Sequence, residues 1–148
     1  MPFVSEILIA ESPTSPMSSR SEVRAIPGRG IEGDRYFTGA GTFSPHPQKP
    51  DFEITLIERE KIDAFARETG LPFTAARARR NLVTEGVDLN SLIGVEFEVQ
   101  GVRFLGTQES APCHWMDTAF APGAEEALKG RGGLRAKILS DGVLRVDG

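Results

Sequence analysis

The chain carries one cysteine in 148 residues, Cys113. A lone cysteine excludes an internal disulfide. It leaves two roles: a buried small hydrophobe, or a thiolate acting as nucleophile, sulfur carrier or metal ligand. Histidine is also scarce. His46 and His114 are the only two, and with Cys113 they are too few and too scattered for a zinc motif. No apolar run approaches the roughly 20 residues of a membrane-spanning helix. The opening residues Met1-Pro2-Phe3-Val4-Ser5-Glu6 lack the basic-then-apolar layout of a signal peptide. These absences lead us to expect a protein of the reducing cytoplasm with no membrane partner. The formal net charge of −4 counts against general nucleic-acid binding. Lysine supplies only 4 of the 17 basic residues, against 13 arginines. No lysine stands in a recognisable pyridoxal-phosphate context, so covalent pyridoxal phosphate is not expected.

The apolar and charged fractions are those of an ordinary globular chain, and the length suits a single domain over 1–148 with its own core. The pattern is rich in strands. Residues 3–10, 22–26, 52–57 and 81–85 read as strands, with Phe52, Ile54 and Leu56 on one side of the third. Residues 58–69 form the clearest helix, with Ile62, Phe65, Ala66 and Thr69 on one stripe and Gly70 as its stop. Shorter helices are expected over 73–79 and within 112–129, and a turn over 89–92. Residues 11–19 and the Gly- and Pro-rich stretch 27–50 read as loops, and one as long as the second is usually functional. Two hairpins are predicted: 95–99 with 102–106 across Gln100-Gly101, and 134–139 with 143–146 across Asp141-Gly142. The sum is a mostly β, barrel-like domain with a few flanking short helices.

Within this frame, Cys113 follows Pro112, which fixes the backbone and can open a helix. The Pro-Cys-His context shows no apolar periodicity and points to a functional thiol. His46 activating Cys113 is conceivable as a hydrolase pair, whereas the adjacent His114 is poorly placed for one and no oxyanion-hole signature is visible. The arginines fall in short groups: Arg29 and Arg35; Arg77, Arg79 and Arg80; Arg131 and Arg135. Scattered, they are solvated surface. Converging, they make an anion pocket, because the guanidinium fork suits phosphate and carboxylate. Arg80 and Asn81 either close a solvated helix end or point into a pocket, offering charge and amide hydrogen bonds to a polar ligand. Gly28-Arg29-Gly30-Ile31-Glu32-Gly33 matches G-x-G-x-x-G, with Asp51 and Glu53 near the spacing of a ribose ligand. The residues that follow have no helical stripe, so a dinucleotide fold is not expected. A glycine loop whose backbone N–H groups approach an anion fits better. Asp34 reads as a buried acceptor that fixes this loop, or as a partner orienting Arg35.

In order along the chain stand Gly-Arg-Gly-Ile-Glu-Gly-Asp-Arg (28–35), Ile-Thr-Leu-Ile-Glu (54–58), Arg-Arg-Asn-Leu-Val (79–83), Leu-Ile-Gly-Val-Glu-Phe (92–97), Pro-Cys (112–113) and Arg-Gly-Gly-Leu-Arg (131–135). This ordered set resembles the MOSC domain, named for the C-terminal domain of molybdenum cofactor sulfurases, over about residues 22–148. The resemblance implies a β-barrel-like fold. It also implies that Cys113 carries sulfur or ligates molybdenum held by a pterin dithiolene, as in relatives that reduce N-hydroxylated compounds. By position Arg80 and Asn81 match the Arg–Asn motif near the cofactor, and Arg35, Arg131 and Gly33 join the same pocket. Those reductases carry a further N-terminal domain, so the resemblance here implies a site that a partner completes or that holds the cofactor transiently. The expected partners are an anionic small-molecule cofactor and a redox or sulfur-donor protein. A reading from another class is a non-catalytic module that delivers an anionic cofactor to a partner enzyme.

Overall fold

The computed structural model describes residues 3–10, 17–34, 53–70, 80–109 and 133–147. Their centre is β5 (Ile54–Glu58), in which every residue is buried. Ile54 and Leu56 face the main core, while Ile57 turns to the opposite side, as a period-two strand requires. Fully burying an aliphatic side chain of this size contributes about 1.5–3 kcal/mol. The alternation expected for this strand holds, but its start shifts to Ile54 because Glu53 lies in a turn.

From β5 the chain enters α1 (Arg59–Thr69), which buries Ile62 and Phe65 and rests on β5 and β6 (Leu82–Glu85). Gly70 ends it in the left-handed conformation, donating its N–H to the Ala66 carbonyl at 2.9 Å. The helix is the crossover that lets β5 and β6 pair in parallel, Leu56 beside Leu82 and Ile57 beside Val83.

Around this unit a seven-stranded sheet runs in the order β2-β1-β6-β5-β9-β8-β7. Its remaining strands are β1 (Phe3–Ile9), β2 (Ser18–Ser19), β7 (Glu96–Val99), β8 (Val102–Glu109) and β9 (Leu134–Ile138). A second sheet, β10-β3-β4, is built from β3 (Glu22–Ile26), β4 (Gly30–Ile31) and β10 (Gly142–Arg145). One hydrophobic cluster joins them: Val23, Ala25, Ile31 and Leu144 from the small sheet pack with Ile7, Leu82, Phe104 and Leu134 from the large one. A 3-10 turn, Leu89–Leu92, adds Leu89 to that core.

The hairpin over 95–106 forms as expected, with Val99 beside Val102 and Phe97 stacked on Phe104 at 5.4 Å between ring centres. The second predicted hairpin does not form. β9 pairs with β5 and β8, while β10 pairs with β3, Leu144 opposite Val23. The reason is local and long-range at once. Leu139 donates its N–H to the Arg103 carbonyl at 2.8 Å, so the chain follows β8 past the end of β9. Buried Leu144 then joins Val23 and Ala25 in the core, pairing β10 with β3, and Asp141 meets Arg24 of β3 at 3.2 Å on the surface. Strands β2 and β4 were also unforeseen, since two residues show no alternation. The short helices expected over 73–79 and 112–129 lie outside the described residues.

Gln100, at φ 53°, closes the β7–β8 turn and also reaches β10. Its side-chain amide accepts from the Arg145 N–H at 2.7 Å and donates to the Arg145 carbonyl at 2.7 Å. A side chain thus bonds one residue of β10 as a neighbouring strand would.

Gly133 precedes β9 at φ 100°, and a Cβ there would stand 2.0 Å from the Leu56 carbonyl oxygen. Gly70, also left-handed, has open space around it. We therefore expect Gly70→Ala to cost about 1–2 kcal/mol, the price of the backbone conformation. Gly133→Ala must also displace the central strand and costs more than about 4 kcal/mol. Urea unfolding of the two variants measures the difference, and equal losses would contradict the close approach.

Candidate functional site

The site is built where four chain segments reach one end of the large sheet. β1 runs out through Ala10, β6 begins after Arg80, β5 begins after Glu53, and the glycine motif ends at Asp34. All four residues are buried, three of them charged. Water is excluded here, so each polar group needs a partner within the protein.

Asn81 meets that demand for three strands at once. Its backbone carbonyl accepts from Leu8 N–H at 2.8 Å, and its side-chain Nδ2 donates to the Leu8 carbonyl at 3.1 Å. Toward β5, its Oδ1 accepts from Thr55 N–H at 3.0 Å and from Thr55 Oγ1 at 3.1 Å. Its own N–H lies 3.1 Å from both the Thr55 carbonyl and Thr55 Oγ1. The side chain is fully buried. This geometry gives Asn81 a scaffold role, with its side chain facing Leu8 and Thr55. Arg80, one peptide earlier, is 8 % exposed and sits at the mouth of β6.

Two buried carboxylates hold the neighbouring loop. Asp34 is fully buried, and its Oδ1 accepts from Ala10 N–H at 3.0 Å. That is the loop-fixing role expected of it. Glu53 Oε1 accepts from Gly28 N–H at 3.2 Å and from Ile138 N–H at 2.9 Å. Glu53 therefore clamps the start of the glycine motif to the end of β9, and the suggestion of a ribose ligand is replaced by this structural one. Within the motif, Gly30–Ile31 forms β4, paired with β3, where a dinucleotide loop would lead into a helix. Gly33 adopts φ 89°, with Ile9 Cδ1 lying 3.2 Å from where a Cβ would stand.

Of the residues singled out in the sequence, Gly33, Arg80 and Asn81 are thus brought to one end of the sheet. Cys113, Arg35 and Arg131 lie outside the described residues, as do His46, Asp51, Arg77, Arg79 and His114. Arg35 directly follows the anchored Asp34, and Arg131 lies two residues before Gly133, which packs against Leu56. Among the described residues no group of three His, Cys, Asp or Glu side chains is placed to hold a metal ion. Thr55 carries no expectation from the sequence, and Glu53 only that of its spacing. The available signal was a hydroxyl inside the otherwise apolar run Ile-Thr-Leu-Ile, which a buried strand tolerates only with a partner.

Truncating Asp34 to alanine leaves the Ala10 N–H buried and unpaired. We expect a loss of about 1–3 kcal/mol in urea unfolding. The solvent-exposed Asp63→Ala serves as control and stays within about 0.5 kcal/mol of the parent.

With this geometry in hand, known proteins are informative. The MOSC domain model matches residues 43–148. No curated protein matches the chain. Among solved structures, the YuaD protein from Bacillus subtilis superposes with a TM-score of 0.81 at 18% identity, covering 98% of this chain and 91% of that one. YiiM from Geobacillus stearothermophilus gives 0.73 at 16% identity, over 98% of this chain and 71% of its own. YiiM from Escherichia coli gives 0.68 at 19% identity, over 99% and 67%. At these identities the structures speak for the fold, and no described helix is long and apolar enough to cross a membrane. The family match spans most of the sequence, and the sheet-rich fold agrees with it: the chain belongs to the MOSC domain family.

Proposed function

We propose that this protein binds a molybdenum–pterin cofactor, holding its phosphate with Arg80 and the metal with the Cys113 thiolate. The observation that carries the reading is Arg80, a buried cation directly before Asn81 at the end of the sheet where Ala10 binds Asp34. MOSC domains are associated with this cofactor, and the residues in place suit it. A guanidinium shielded from water binds a phosphate more strongly than an exposed one. The glycine motif, pinned at Gly28 by Glu53 and at Asp34 through Ala10, lets backbone approach a bulky ring system.

In this reading Arg35, directly after the anchored Asp34, adds a further cationic contact to the same anion, and the family resemblance adds Arg131. Gly33 holds the left-handed turn, φ 89°, that ends the glycine motif against Ile9. Cys113 supplies a soft thiolate, the donor expected on molybdenum and equally the group that can carry sulfane sulfur. When bound, the cofactor supplies a two-electron centre able to take oxygen from an N–O bond. Reducing equivalents then come from a separate redox protein, and a lone cysteine of this kind stays reduced in the cytoplasm.

Elemental mass spectrometry of protein purified from a host that makes the cofactor tests this. We expect near-stoichiometric molybdenum in the parent, and its loss in both Cys113→Ser and Arg80→Ala. Molybdenum absent from the parent as well would sink stable cofactor binding and leave sulfur carriage. That remaining role is read as sulfane sulfur trapped on Cys113 after incubation with a sulfur donor.

A further inference from the structure

We propose that Asn81 and Thr55 act as positioning residues that aim Arg80, an inference resting on the reading of Arg80 as a phosphate ligand. The peptide joining Arg80 to Asn81 is planar, so its N–H direction and the Arg80 Cα move as one body. That N–H is held at 3.1 Å by both the carbonyl and the hydroxyl of Thr55. The hydroxyl is itself oriented, because its proton goes to Asn81 Oδ1 at 3.1 Å and leaves a lone pair facing the N–H. A closed ring of hydrogen bonds between two residues therefore fixes the plane from which the Arg80 side chain departs.

The ring has an outer support. Asn81 Nδ2 and its carbonyl both engage Leu8, and two residues along β1 Ala10 binds Asp34. The same knot that orients Arg80 thus reaches the last residue before Arg35. A long flexible arginine binds poorly when its base wanders, because ordering it must be repeated at each binding event. Fixing its backbone in advance lowers that cost. Thr55 and Asn81 do this without touching the ligand.

The full chain is titrated calorimetrically with inorganic phosphate, which shares the phosphate chemistry of the cofactor. The parent is compared with Arg80→Ala, Thr55→Val, Asn81→Ala and the double variant Arg80→Ala/Thr55→Val. Thr55→Val removes only the hydroxyl and keeps the branched shape, so it remains informative even if Asn81→Ala does not fold. Thermal unfolding is recorded for each, and binding is measured well below every midpoint. Arg80→Ala is expected to raise Kd about tenfold or more, the loss of a charge-assisted hydrogen bond. Thr55→Val is expected to raise it severalfold in the parent and to have no effect in the Arg80→Ala background.

A merely structural Thr55 lowers the unfolding midpoint but leaves the Kd of folded protein unchanged, and that result overturns the proposal. Equal, additive effects of Thr55→Val in both backgrounds overturn it too. If Arg80→Ala leaves phosphate binding untouched, or the parent shows none, the reading of Arg80 itself falls and this inference falls with it.

Discussion

A primary amide in the interior of a β-sheet must be satisfied there or not be there. Asn81 lies between β1 and β5 with no solvent to solvate it, and an unmade hydrogen bond in that position costs about 1–3 kcal/mol. The side chain therefore dictates which backbone groups face it: the Leu8 carbonyl on one side, the Thr55 N–H on the other. Because β6 enters the sheet at this residue, the satisfied amide fixes the register of three strands together. It also fixes where the flanking connections depart. Apolar packing alone permits sliding by two residues with the same faces buried, whereas a directional amide does not.

The buried carboxylates extend the same logic to the loops. Asp34 and Glu53 bracket residues 35–52, one bound to β1 and the other to the glycine motif and β9. The sheet thus carries a polar seam along one end, beside the apolar cluster that joins the two sheets. Charge near this seam is not incidental, since burying a carboxylate is tolerable only where backbone N–H groups converge on it. The family's chemistry is expected where such a seam holds loops in place, because loops supply reactive groups and a rigid scaffold positions them.

The legible and illegible parts of the sequence divide by distance along the chain. The hairpin across Gln100-Gly101 and the helix ending at Gly70 are local, and their turn and stripe signals were sufficient. The Asp141-Gly142 pair carried the same kind of signal and misled. Its strand pairs with β3, some 120 residues earlier, where Leu144 packs opposite Val23, and no local pattern reports such a partner. The site shows a similar split. Asp34 was readable as a loop anchor, since a carboxylate in a tight Gly-rich turn has few other uses. Asn81 follows Arg80 in the sequence, but its scaffold contacts to Leu8 and Thr55 come from distant strands, which the sequence does not display. Glu53 stood out only for its spacing, and the clamp it forms on Gly28 and Ile138 likewise depends on distant partners.

The contact between Gln100 and β10 has a consequence for how the protein keeps to itself. β10 is an outer strand, and an outer strand offers unpaired N–H and C=O groups on which a second chain can grow. At Arg145 both groups are already taken by one glutamine amide, whose donor and acceptor match those of a peptide. A single side chain here imitates a missing strand and leaves no free backbone group at Arg145 for an added strand to pair with.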